Sequence, residues 1–139
     1  MRTAKLVGAV VLALVIATAA GWVWGRSGQS ALAAEVRAKD LRLRLTDAKS
    51  RILGARVDLY SLNFGAAAQN MDAARSVIDS ILATWEPDGT SARAAQLKTA
   101  VHELEEARRI AGQMRQDAHV QADRALRALA AAAQAPEAP

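Results

Sequence analysis

Four side chains stand at spacings that metal chemistry uses. His102 with Glu106, and His119 with Asp123, are each four residues apart, which on a helix puts both members of a pair on one face. Each pair supplies two ligands, and neither the His-Glu-x-x-His run of zinc hydrolases nor the Glu-x-x-His of di-iron bundles occurs. Glu103, Glu105 and Glu106 form an acidic cluster, but general acid-base work needs a pocket around such carboxylates. The pattern instead predicts a solvated face paired with Arg75, Arg108 and Arg109. With no cysteine in the chain, thiol catalysis, thiolate metal sites and disulfides are all excluded. The expectation is a protein that is not an enzyme, with no catalytic residue, no cofactor and no metal site. The two His/acid pairs leave one alternative, a periplasmic helical-hairpin sensor of metal or stress.

Those residues must be positioned by a chain of 139 residues with one Phe, one Tyr and three Trp, rich in alanine. Such a composition cannot fill a bulky globular core, whereas small side chains suit closely packed helices. Eighteen basic against fourteen acidic residues give a net charge of +4. The excess is local: residues 26–65 hold eight bases and four acids, and residues 66–90 one base and four acids. Bases and acids interleave without aromatic platforms, so nucleic acid is not expected as a partner.

The first two dozen residues stand apart. Arg2 and Lys5 precede an uncharged run from Leu6 to Gly25. As a helix, residues 6–24 would reach ~28 Å, close to the hydrocarbon thickness of a bilayer. Trp22 and Trp24 sit at the far end, where indole rings favour the headgroup layer, and Arg26 closes the segment. Residues 1–25 are thus predicted to be a single-pass membrane anchor in contact with lipid. The N-terminus is expected in the cytoplasm and the remainder outside it. The competing expectation is a signal peptide cleaved near Ala19, after the small residues Ala17 and Ala19.

Residues 26–30 read as a linker, and residues 31–134 as an all-α, long-helix antiparallel coiled-coil hairpin. Its turn is predicted at residues 86–90, Glu-Pro-Asp-Gly-Thr, with Thr90 or Ser91 capping the last helix, which runs on to Gln134; residues 135–139 are a disordered tail. Two apolar seams carry this prediction. The first comprises Ala34, Ala38, Leu41, Leu45, Ala48, Ile52, Ala55, Leu59, Leu62 and Ala66, at alternating steps of four and three. The second, displaced by one residue and so by about 100° around a helix, comprises Leu53, Val57, Tyr60, Phe64, Ala67, Met71, Ala74, Ile78, Ile81 and Trp85. Facing it across the turn, Leu97, Val101, Leu104, Ala107, Ala111, Met114, Ala118, Ala122, Ala125 and Leu129 form the matching stripe. Gly54, Asn63 and Gly65 are expected to mark close helix packing, the alternative being a break near Asn63–Gly65 that makes three helices.

The second seam has a partner in the last helix. The first has none as good, only the overhang from Ala122 to Gln134, and its flanks are basic. Arg37, Arg44 and Arg51 lie on one side of Leu41, Leu45 and Ile52, and Arg42, Lys49 and Arg56 on the other. A parallel homodimer through residues 34–56 on this seam would set Arg37 against Arg42, Arg44 against Lys49 and Arg51 against Arg56, so it is disfavoured. These nine residues are predicted to bind a protein partner, one that offers an acidic helix. The function expected is a non-catalytic interaction or scaffold protein of the cell envelope. An accessory or stator-like subunit of a membrane complex is the further alternative.

Overall fold

A computed structural model describes residues 31–86 and 89–135. The anchor over 6–24, the cleavage site near Ala19, the linker over 26–30 and the tail beyond Ala135 lie outside those residues. Among the described residues no helix is long and apolar enough to cross a membrane. They form four helices and no strand: α1 (Arg2–Tyr60), whose described part begins at residue 31, α2 (Phe64–Trp85), α3 (Ala92–Ala111) and α4 (Ala118–Gln134). The chain divides into two units, Met1–Lys39 and Asp40–Pro139. In the first, the described residues are helical, Leu32, Val36 and Arg37 are exposed, and Lys39 pairs with Glu35 at 2.7 Å.

The second unit is a ring of four antiparallel neighbours. From Asp40 onward α1 runs against α2, with Arg44 reaching Ser80 at one end and Asp58 accepting from Asn70 at the other. Asp72 meets Arg108 and Arg75 meets Glu105 between α2 and α3. Arg93 at the start of α3 reaches Ala132 and Ala135 at the end of α4. The ring closes where Arg56 meets Asp123 at 2.8 Å and the rings of Tyr60 and His119 lie 5.8 Å apart. This up-down-up-down bundle breaks both long helices of the expected hairpin: the break before Phe64 is the alternative placed near Asn63–Gly65, and the one between α3 and α4 is a correction to the single last helix expected up to Gln134.

The first break resolves the conflict between the seams. α1 buries Leu41, Leu45, Ala48, Ile52, Ala55 and Leu59, all of the first seam, while α2 buries Ala67, Met71, Ala74, Ile78 and Ile81, all of the second. No single helix has to bury two adjoining faces, since the seam shifts by one residue where the chain turns over. At the turn Leu62 donates to the Leu59 carbonyl at 3.1 Å and Asn63 to that of Asp58 at 2.8 Å, the two bonds of a Schellman motif. Leu62 sits at φ +60, and Asn63 then caps α2 by accepting from the Ala66 amide at 3.2 Å. Close packing fails as the reason for Gly65, because a Cβ there would meet nothing within 4 Å. Gly54 does face a neighbour, but its Cβ would sit 3.4 Å from the Asn70 amide nitrogen, an ordinary contact that does not require glycine.

The second break, between α3 and α4, repeats the device. Met114, at φ +55, donates to Ala111 at 2.9 Å and Arg115 to Ile110 at 3.4 Å. The predicted stripe continues across it: Leu97, Leu104, Ala107 and Ala111 are buried before the turn, and Ala118, Ala122, Ala125 and Leu129 after it. Only Met114, in the turn itself, is fully out in solvent. The α3–α4 pair packs more closely than α2–α3, its facing residues being largely alanine.

At the opposite end the predicted turn is present. α2 stops at Trp85, Gly89 takes φ +60, and Ser91 caps α3 by accepting from the Ala94 amide at 2.9 Å. Arg93 and Glu86 are both buried here, 3.5 Å apart. Glu86 also accepts from the Ser91 hydroxyl, and Arg93 donates to the Ala135 carbonyl at 3.0 Å, so neither charge is left without partners.

Candidate functional site

The predicted site on α1 separates into a core and two edges. Leu41, Leu45 and Ile52 are 5%, 7% and 0% exposed, covered by the chain's own helices. The unsatisfied half of the first seam therefore has its partners in α2 and α4, a correction to the expectation that the chain itself covers it poorly. On α4, Leu129 joins the buried core beside its alanines and Leu126 packs against it. The helix places basic side chains on either side of this core, but their surroundings differ.

On the α2 edge the charges are compensated. Arg44 pairs with Asp40 at 3.2 Å, donates to Ser80 and lies 5.1 Å over the ring of Trp85, a cation–π contact. Arg51 pairs with Asp47 at 3.1 Å. Arg37 is exposed in the first unit. Glu35–Lys39, Asp40–Arg44 and Asp47–Arg51, each spaced four apart along the helix, all form ion pairs.

On the α4 edge only Arg56 is compensated, by Asp123. Arg42 and Lys49 have no carboxylate within 4 Å among the described residues; both are exposed and line a groove of about 410 Å³ between α1 and α4. Its walls are Leu45, Leu126, Leu129, Ala130 and Ala133, with Thr46 and Gln134 adding a hydroxyl and a carboxamide at the rim. An apolar cleft with two uncompensated cations at its lip can seat an amphipathic anionic ligand or helix face. The sequence shows the cations. It does not show the cleft, whose far wall is contributed by residues some eighty positions away and depends on the unforeseen turn at Gly112–Asp117.

The remaining candidates are otherwise engaged. His102 is exposed, and Glu106 accepts from Arg109 at 2.8 Å. That bond holds the Glu106 carboxyl below the ordinary glutamate range, the nearby charges of Arg109 and His102 adding to it, and raises Arg109 in turn. His119 stacks against Tyr60, and Asp123 belongs to Arg56. Among the described residues no three His, Asp or Glu side chains converge as metal ligands. Trp85 is half-buried against the core, as a seam residue. Compared with known proteins, the chain matches no family model, no curated protein and no solved structure.

Proposed function

We propose that this protein is a non-catalytic interaction module of the cell envelope, anchored by residues 6–24, which holds a partner by seating an acidic amphipathic helix in the groove between α1 and α4. One observation carries the reading: Arg42 and Lys49 stand uncompensated at the lip of an apolar cleft, while the neighbouring bases Arg44, Arg51 and Arg56 each have an acid. Rim charges of this kind steer and orient a partner, and the apolar floor supplies the burial. The partner-binding set narrows accordingly to the exposed Arg42 and Lys49, with Leu41, Leu45 and Ile52 shaping the scaffold beneath. The anchor and an N-in topology rest on the charge and length of the N-terminal run.

The test uses the full chain in zwitterionic vesicles, titrated with a synthetic helical peptide bearing a leucine stripe edged by glutamates. Binding is expected to weaken with salt, and to fall about tenfold or more in the Arg42→Glu/Lys49→Glu variant. Equal binding of a lysine-edged version of the peptide would overturn the reading. A reporter fused after Pro139 tests the topology.

A further inference from the structure

The first seam faces inward, which leaves α1 an outward side. Between Asp40 and Tyr60 that side carries Leu43, Leu53, Val57 and Tyr60, exposed to 69%, 39%, 63% and 62%. With Thr46 and Ser50 they fall at 43, 46, 50, 53, 57 and 60, steps of three and four that keep one stripe on one face. In sequence the same steps continue upstream through Lys39, Val36 and Leu32. This third stripe is invisible while the chain is read for what it buries. It emerges once the first seam is seen to be covered.

Its flanks differ in kind from those of the first seam. From Leu43 to Tyr60 one edge is basic, with Arg42, Lys49 and Arg56 preceding Leu43, Ser50 and Val57, while on the other Asp47, Gly54 and Ser61 follow Thr46, Leu53 and Tyr60, a single acid and two uncharged residues. In a parallel in-register pair Arg42 of each helix stands opposite Asp47 of the second copy, which also holds Arg51 of its own helix, twice by symmetry, while Lys49 and Arg56 stand opposite the uncharged Gly54 and Ser61. An antiparallel pair would set bases against bases. We infer that two copies of this chain associate in parallel through the outward face of α1, along Leu43, Leu53, Val57 and Tyr60, with reciprocal Arg42–Asp47 ion pairs fixing the register. The earlier objection to a parallel dimer through residues 34–56 concerned the inward seam, whose flanks are basic on both sides.

Thr46 and Ser50 in the middle of the stripe keep the pairing weak, and a shared membrane would raise the effective concentration of the two chains. That last clause rests on the anchored reading; the face itself does not.

The absence of cysteine makes the test direct. Full-length chain is purified with a single Leu43→Cys, Val57→Cys or Thr99→Cys substitution and oxidised in detergent and in vesicles. Disulfide-linked dimers are expected at positions 43 and 57 and not at 99, since only a parallel seam brings identical residues together. Arg42→Glu or Asp47→Arg in the Leu43→Cys background should cut the dimer yield about fivefold, and the two together should restore it. Both residues are exposed, and unchanged helicity by circular dichroism confirms that the bundle stays folded. No dimer at 43 and 57, or yields indifferent to both charge reversals, would overturn the inference. Ala130→Glu, on the groove wall, separates the two proposals: it should abolish peptide binding and leave the cross-links unchanged.

Discussion

The two ends of the bundle solve the same problem by opposite means. At one end the α2–α3 turn uses Gly89 at φ +60, a serine cap and the buried Arg93–Glu86 pair, residues whose chemistry fits their task. At the other end both turns close with a large apolar residue in the left-handed position, Leu62 and Met114, where glycine is preferred. An L-residue there gives up roughly 1–2 kcal/mol. Both side chains are exposed, so burial does not repay the strain. A helix end can evidently be fixed by the seams on either side of it, even when its own residues oppose it.

The comparison is broken most severely at the first end. Arg93→Ala leaves Glu86 buried without its cation and is expected to lower the unfolding free energy by about 3 kcal/mol, read by urea denaturation of the full chain. The second end should respond in the reverse sense. Leu62→Gly and Met114→Gly are each expected to stabilise by about 1 kcal/mol after the extra chain entropy of glycine, and to add, because they lie in separate turns. Destabilisation by either would show that the exposed side chain has a packing role. Ser91→Ala removes the cap of α3 and should cost about 1 kcal/mol. The smallest effect concerns Glu106, away from both ends. Its carboxyl is held low in the fold, so any stability it gives is present above the unfolded glutamate value and lost as pH falls through the folded one. Because the pair is exposed, the effect shows best as an NMR titration midpoint that Arg109→Ala moves back upward.

The same contrast explains how far the sequence could be read. The turn at 86–91 was legible because proline, glycine and serine announce it. The seams were legible over Leu41–Leu59 and Ala67–Ile81, as were the three salt bridges along α1, but not at the overlap, where Leu53, Val57 and Tyr60 of the second seam and Leu62 of the first are exposed. The turn at Met114 was silent, since methionine does not signal a left-handed backbone; the turn at Leu62 showed only as the alternative of a break near Asn63–Gly65, set against a packing contact that Gly65 does not make. The displacement of one seam from the other was the available clue. A single helix cannot comfortably bury two faces 100° apart, and treating that as a reason to break the chain between Leu59 and Phe64 yields α1 and α2. For the candidate site, the six basic flanks of α1 could be named from sequence. The compensation of Arg44 by Asp40 and of Arg51 by Asp47 follows from spacing, but that of Arg56 by Asp123, and the contacts of Arg44 with Ser80 and Trp85, arise only in the assembled bundle.

The buried Arg93 also sets the direction in which α4 comes loose. Its bonds to the carbonyls of Ala132 and Ala135 span 39 and 42 residues, so lifting the C-terminal end of α4 strips partners from a guanidinium that is otherwise enclosed. The opposite end of that helix is tied only through partly exposed side chains, Asp123 to Arg56 and His119 to Tyr60: Asp117 makes no side-chain cap bond, and the segment before it is solvent-exposed. Transient opening therefore begins near Ala118 and travels toward Gln134 like a zip with its far end stitched. Amide hydrogen exchange along α4 should accordingly slow from its first turn to its last, the reverse of the fraying expected for a C-terminal helix.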